Sequence, residues 1–324
     1  GSLALALGLS LMERTSPAQT AGNYGDWNVN ASGNWGDNAN WTSLDPGTTY
    51  PGLVGSTAFV VQNISGDRVI TLDVTPTVGT LVLGDTNATN GVEFVIGGGA
   101  GLGTIIFDNA GAANANNGGA PGAFFNHNSG TAGLNPATTD RIDANIQIDD
   151  TVGLIIDSNR NLEFRGVLTG NGSNTLTLVN TNSAGILNDA RYYWDGDPYG
   201  ARITNLGTLN IINGEARFDG LAGGTIDQQV IGANTINLGN GVLQTDSDVF
   251  PRLYLVNTES TQTANLNVNS GWVVSDLGNN DDMTIWSGDI SFAGAATSNL
   301  FDVNDAGTAD THIVTGAITD GVSS

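Results

Sequence analysis

Residues 203–240 read ITNLGTLNIINGEARFDGLAGGTIDQQVIGANTINLGN. Two short β-branched runs stand in this stretch, TLNII at 208–212 and TINL at 235–238, bounded by Asn and Gly. Within each run polar and apolar residues alternate, the period of a strand rather than of a helix. Asn205, Asn210, Asn213, Asn234, Asn237 and Asn240 recur beside the runs. An amide carries donors and an acceptor together, so asparagines stacked on successive strands hydrogen-bond to one another in a ladder. The neighbouring glycines supply the positive φ that sharp corners require. The stretch therefore predicts short strands laid over one another in register, with polar turns between them.

The pattern extends in both directions. AFVV at 58–61, VITL at 69–72, TLVL at 80–83, VEFVI at 92–96, TIIF at 104–107, RIDANIQI at 141–148, GLII at 153–156 and TLTLV at 175–179 precede the stretch. GVLQT at 241–245, LYLV at 253–256, ANLNV at 264–268, MTIW at 283–286 and HIVTGAI at 312–318 follow it. Short strands spaced by about ten residues indicate an all-β protein. They are too many for a seven-stranded sandwich, and no blade-length period points to a propeller. A parallel β-solenoid over residues 58–324 is expected, with about 20 residues per coil and a rod of about 60 Å. A jelly roll or a pair of stacked β-sandwiches is the alternative.

Composition narrows the function. The 324-residue chain has 46 glycines and no cysteine, and 9 basic residues stand against 32 acidic ones. No lysine occurs, 27 of the acids are aspartate, and charged residues make up 13% of the chain, about half the usual share. Long amphipathic helices are disfavoured, since they lean on Glu, Lys, Gln and Ala. A net charge of −23 excludes nucleic acid as a partner, because binding to phosphate needs a basic patch. Without cysteine there are no disulfides or thiolate ligands, and without lysine no Schiff base or P-loop lysine. Acidic, lysine-free, Asn/Thr/Gly-rich composition points to an extracellular surface protein of a bacterium.

Residues 1–21 differ from the rest. Ser2 to Met12 reads SLALALGLSLM, with Leu3, Leu5, Leu7, Leu9 and Leu11 alternating with small residues. Two readings stand: a residual signal-peptide core, or a retained apolar strand that inserts into a neighbouring subunit. On the second reading the five leucines, each contributing about 1.5–3 kcal/mol on burial, hold the assembly. The run is too short to span a bilayer, which takes about 20 apolar residues.

Residues 22–57 are rich in Trp, Asn and Gly, and Trp27, Trp35 and Trp41 either close one end of the core or form a sugar-stacking platform. Two further stretches interrupt the strand pattern. Asn109 to Pro136 is a polar excursion that holds Phe124 and Phe125, which read as an anchor into this subunit or another. Leu187 to Tyr199, LNDARYYWDGDPY, is an aromatic and acidic loop whose Tyr192, Tyr193 and Trp194 are candidate contact residues.

Gly33-Asn34-Trp35 through Asn40-Trp41, then Thr57-Ala58-Phe59 and Val69-Ile70-Thr71-Leu72, resemble the start of large secreted proteins with autotransporter-associated β-strand repeats. Thr175-Leu176-Thr177-Leu178, Gly207-Thr208-Leu209-Asn210-Ile211 and Val314-Thr315-Gly316-Ala317-Ile318 look like degenerate units of the same repeat. The resemblance implies a right-handed β-helix on a cell-surface protein.

Catalytic chemistry has little material. His127 and His312 are the only histidines; neither has metal-ligand spacing, and both read as surface residues. Asp149, Asp150, Asp157, Asp195 and Asp197 are the candidate acids for a polysaccharide lyase or hydrolase. Asp302, Asn304, Asp305 and Asp310 are a candidate Ca²⁺ loop, although Ala306 and Ile313 depart from the EF-hand ligand pattern. The expectation is a non-enzymatic subunit of a surface filament, sheath or layer, its partners being copies of itself and surface polysaccharide. An adhesin or carbohydrate-binding passenger is the second reading, a polysaccharide-active enzyme the third.

Overall fold

The computed structural model describes residues 23–42, 49–85, 92–97, 102–115, 118–127, 139–156, 161–180, 191–195, 202–219, 230–239, 251–256, 260–270, 272–276, 283–292, 300–304 and 311–320. Among them the protein is all-β, with a 3-10 segment at Asn38–Asn40. The strands form sheets of sixteen, ten and three members. Strand pairing is parallel, with one exception: Tyr24–Trp27 also pairs antiparallel with Trp41–Thr42. The leucine-alternating segment of residues 1–21 and GVLQT at 241–245 lie outside the described residues.

The sheets are filled in rotation. The main line of the sixteen-stranded sheet runs through Thr57–Val61, Thr80–Gly84, Ala123–His127, Val152–Ile156, Thr175–Asn180, Arg202–Ile211, Ile231–Leu238, Asn265–Val268, Ile290–Phe292 and Ile318–Asp320. Between consecutive members the chain visits the ten-stranded sheet. It then returns through a side line, Thr77–Val78, Thr104–Phe107, Asn145–Ile148 and Val167–Thr169, which merges into Arg202–Ile211. That strand is ten residues long and serves both lines. Later in the chain the returning strands form the three-stranded sheet, Ser260–Gln262, Met283–Trp286 and Thr311–Val314.

Along the main line, paired residues are separated by more sequence than the expected 20. Thr57 faces Thr80, Thr80 faces Phe124, Leu176 faces Leu209, and Leu266 faces Ile290. These separations run from 23 residues (Thr57 to Thr80) to 44 (Thr80 to Phe124). The nine steps from Thr57–Val61 to Ile318–Asp320 span about 43 Å at about 4.8 Å per step, shorter than the predicted rod because each circuit holds more chain.

Alternation fixes what lies inside. Leu176, Leu209, Ile236, Leu266 and Ile290 stand in one register row, all buried. One residue further along, the row Thr177, Asn210, Asn237 and Asn267 faces outward. Here the predicted amide ladder is present: Asn267 Nδ2 donates to Asn237 Oδ1 at 2.8 Å, Asn237 Nδ2 to Asn210 Oδ1 at 2.8 Å, and Asn210 Nδ2 to Thr177 Oγ1 at 3.2 Å. An aromatic ladder stands inside the ten-stranded sheet. Phe164, Trp194 and Phe218 stack at 4.9 Å and then 4.5 Å between ring centroids, each contact adding about 0.5–1.5 kcal/mol beyond area burial.

Corners demand particular residues. Gly97 has φ +119°, and a Cβ there would run into the Asp143 carbonyl of the next circuit. Asn205 takes φ 51° at the irregularity where the pairing shifts between Ile203 and Leu206, a left-handed conformation that Asn tolerates better than most residues. Its side-chain amide donates to Gly170 O at 3.1 Å.

Two expectations need correction. Phe124 and Phe125 do not sit in a loop: Ala123–His127 is a strand in the middle of the main line, where Phe125 joins the hydrophobic core and Phe124 is buried on the opposite face of the strand. Nor is 187–199 a continuous loop, since Arg191–Asp195 is a strand of the ten-stranded sheet. The inward alternation of Tyr192 and Trp194 puts it there.

The position of Trp194 between two stacked rings makes it the most sensitive single point. Trp194→Ala is expected to lower stability by about 3–5 kcal/mol, whereas Asn237→Ala, which breaks two ladder hydrogen bonds, costs about 1–2 kcal/mol. Urea unfolding of the two variants checks the order.

Candidate functional site: the outer face of the ten-stranded sheet

Six of the nine arginines lie on one sheet. Arg68, Arg141, Arg191, Arg217 and Arg252 belong to its strands, and Arg165 directly follows Asn161–Phe164. Register places Val95, Arg141, Glu163, Tyr193, Arg217 and Tyr254 in one row across successive strands. A second row holds Arg191, Glu215 and Arg252, and a third holds Asp195 and Asp219. These residues alternate with the buried Tyr192, Trp194, Ala216, Phe218, Leu253 and Leu255, so they point away from the core.

The charges brace one another across strands. Arg141 holds Asp143 with both prongs at 3.1 Å and reaches Glu93 at 3.2 Å. Arg165 Nε donates in a short hydrogen bond to Glu163 Oε1, lies 3.9 Å from Asp143, and sets its far nitrogen 3.7 Å from Asp195. Arg191 Nε lies 3.0 Å from Glu215, which Arg252 approaches at 3.9 Å. Tyr193 donates to Asp219 at 2.6 Å, and the Arg217 guanidinium sits 5.6 Å from the Tyr193 ring centroid. Burial raises the pKa of Glu93 and of Glu163, with Arg141 and Arg165 respectively acting in the opposite direction. Burial also pushes up the Tyr193 hydroxyl, and the Asp219 carboxylate that accepts its proton adds to this. Arg165 has its pKa raised although burial opposes its charge, because Glu163 holds the proton-bearing form.

The sequence-predicted contact residues separate into two groups. Tyr193 faces outward, half-buried, while Tyr192 and Trp194 face the core. Burial raises the pKa of Tyr192, whose hydroxyl donates to backbone carbonyls of Leu154 and Val179. Trp27, Trp35 and Trp41 form no open platform: they are 2%, 0% and 6% exposed and pack ring against ring at 5.2 and 4.9 Å. Their indole N–H groups donate to Val29 O, Pro51 O and Trp35 O, so neither rings nor donors are left for a sugar.

The acids proposed for polysaccharide chemistry are not one cluster. Asp149 and Asp150 lie in the turn between Asn145–Ile148 and Val152–Ile156, where Asp150 accepts from Gly111 N at 2.8 Å and Asp149 from Gln147. Asp195 belongs to a different sheet, with Arg165 set between it and Glu163. Asp157 and Asp197 lie outside the described residues. Asp302 and Asn304 sit in the strand Leu300–Asn304, whereas Asp305 and Asp310 lie outside the described residues. Among the described residues no three His, Asp or Glu side chains gather as metal ligands. No described helix is long and apolar enough to cross a membrane.

His127 is not a surface residue. It faces the core in the row Leu83, His127, Ile156, fully buried, and its Nε2 lies 2.8 Å from Asp140 Oδ2, also fully buried. Asp140 Oδ1 accepts from Phe94 N at 2.8 Å. The pair ties the sixteen-stranded sheet to the ten-stranded one across the interior. Comparison of the chain with protein-family models, with curated proteins and with solved structures finds no match.

Two outcomes follow from these geometries. His127→Leu leaves Asp140 buried without its side-chain partner and is expected to cost about 3–5 kcal/mol, read by urea unfolding. Glu163 binds its proton more tightly folded than unfolded, so the stability it contributes is present in acid and lost as pH rises through its folded pKa. Glu163→Gln removes that loss. Its melting temperature relative to wild type should therefore improve between pH about 4 and pH about 7; a relative decline would contradict the assignment.

Proposed function

We propose that the chain is a right-handed parallel β-helix serving as a non-enzymatic structural element of an extracellular filament, sheath or layer. The rotation of the chain through main line, ten-stranded sheet and return line supports a coil, and parallel crossovers are right-handed in about 98% of cases. The resemblance to secreted proteins with autotransporter-associated repeats agrees with this handedness and with a surface location, as does the lysine-free, acidic composition.

The observation that carries the assembly reading is the difference between the two ends of the sheets. At one end the antiparallel strand Trp41–Thr42 covers Tyr24–Trp27, and three packed indoles close the core. At the other, Leu300–Asn304, Thr311–Val314 and Ile318–Asp320 are the outermost strands of all three sheets, with Ile318 63% and Ile313 37% exposed. Such an edge presents unpaired backbone groups to a further strand. In the proposed assembly residues 1–21 of another copy complete it head to tail, Leu3, Leu5, Leu7, Leu9 and Leu11 covering the exposed apolar rung and the backbone continuing the ladder. The leading partner is thus a second copy of this chain, without nucleic acid, cofactor or membrane span.

Electron microscopy of the chain beside a version lacking residues 1–18 tests this reading. Filaments in the first sample that vanish in the second are expected. Filaments that survive truncation would overturn strand insertion, and isolated particles in both samples would overturn assembly itself.

A further inference from the structure

We infer that the outer face of the ten-stranded sheet carries a binding site for a neutral, linear hexose polysaccharide, centred on Tyr193, Arg217 and Tyr254. The inference goes beyond the structural role proposed above and does not depend on it.

Three successive strands build the site. Arg191–Asp195, Glu215–Asp219 and Arg252–Val256 pair in register. Their outward residues make a grid: Arg191, Tyr193 and Asp195 on the first, Glu215, Arg217 and Asp219 on the second, Arg252 and Tyr254 on the third. Tyr193, Arg217 and Tyr254 occupy the central column, all half-buried. At about 4.8 Å per strand, the column is about 10 Å long, the scale of two sugar units.

Four features point to a sugar. First, Tyr193 and Tyr254 flank Arg217 in one partly exposed column, with the guanidinium 5.6 Å from the Tyr193 ring centroid, so aromatic carbon able to pack against the C–H surfaces of pyranose rings stands beside polar groups. Second, three arginines meet three carboxylates here, so the grid carries no net charge although the chain carries −23; a balanced patch favours a neutral polyol over a polyanion or polycation. Third, the side chains are already held, Tyr193 by Asp219 at 2.6 Å, Arg191 by Glu215 at 3.0 Å and Arg217 against the Tyr193 ring. Preorganisation reduces the ordering cost that weakens binding by long side chains. Fourth, Arg217 Nε is buried with no hydrogen-bond partner among the described residues, and a sugar hydroxyl reaching the centre of the column would supply an acceptor.

Among the described residues, the two other aromatic or polar arrays lack this combination. The outward row Thr177, Asn210, Asn237 and Asn267 is uncharged, without an aromatic ring, and its amides hydrogen-bond one another. The three indoles near the chain start are buried. The central column is therefore the place where ring faces and oriented polar groups meet at the surface.

The test is isothermal titration of the full chain with cellohexaose, laminarihexaose and mannohexaose, beside an oligogalacturonate of similar length. Saturable binding of at least one neutral oligosaccharide, insensitive to salt, is expected. Tyr254→Ala and Arg217→Met should each weaken it about tenfold or more, while Asn237→Ala, on the opposite sheet, should leave it unchanged. Circular dichroism of each variant separates lost binding from lost folding, and Tyr193→Phe, which keeps the ring, should retain most of the affinity. Absence of binding to every neutral member overturns the inference, as does stronger, salt-sensitive binding of the oligogalacturonate. Equal binding by wild type and Tyr254→Ala also overturns it. Each of these results leaves the filament experiment undecided either way, so the two proposals fail separately.

Discussion

Parallel, in-register pairing places each residue about 4.8 Å from its counterparts on the strands above and below, and the rest of the molecule follows from that one constraint. A side chain on such a sheet must tolerate its neighbours in the row at close range. Asparagine satisfies this with itself, since its amide donates in one direction and accepts in the other, as the Asn267, Asn237 and Asn210 ladder does. Flat aromatic rings satisfy it by stacking, as Phe164, Trp194 and Phe218 do. Charges satisfy it by alternating in sign, which Arg191, Glu215 and Arg252 achieve in one row. Asp195 and Asp219 are the exception, like charges side by side. Each is held by another group, Asp195 approached by Arg165 at 3.7 Å and Asp219 accepting from Tyr193 at 2.6 Å.

The same constraint accounts for the use of arginine. A planar guanidinium spans two carboxylates, or a carboxylate and a ring, without leaving its row. Arg165 lies among Glu163, Asp143 and Asp195, and Arg141 between Asp143 and Glu93. A lysine ammonium offers no fork and no stacking face. In the interior the equivalent problem is met by His127 and Asp140, a polar pair with apolar Leu83 and Ile156 on the adjoining strands. It joins two sheets that are also linked across the interior by Tyr192, whose hydroxyl lies 2.6 Å from Val179 O.

Legibility in the sequence tracked the chemistry of the outer faces. Main-line strands such as TLTLV and TINL were readable because their outward residues are mostly Thr and Asn, which leave the inward apolar residues conspicuous; Ala123–His127, set in an Asn- and Gly-rich stretch, was not. The ten-stranded sheet was harder to see. NLEF at 161–164, RYYWD at 191–195 and EARFD at 215–219 carry charges or phenols at their outward positions and look like loops. Their inward alternation was present all along, in Leu162 and Phe164, Tyr192 and Trp194, Ala216 and Phe218. Of the site on that sheet the sequence singled out Tyr193 and Asp195 but not Arg217 or Tyr254, whose neighbours come together only when the register is known. The amide ladder was legible because one residue type repeated beside recognisable strands. The buried His127 and Asp140 pair was not, because a histidine in an Asn-rich stretch gives no sign of which way it faces.

Electrostatics limits how such a molecule meets another copy. With 32 acidic against 9 basic residues, two copies repel at close approach, and at physiological salt the repulsion is screened beyond about 8–10 Å. Side-to-side approach brings whole faces together and accumulates that repulsion. End-to-end approach opposes a single rung, where backbone donors and acceptors pair across the joint and the apolar Ile318 and Ile313 leave water. The outermost strands Leu300–Asn304, Thr311–Val314 and Ile318–Asp320 carry two carboxylates, Asp302 and Asp320, among twelve residues. In the proposed assembly an acidic, lysine-free surface disfavours contact through the faces, and axial growth is the geometry with the least charge to bury.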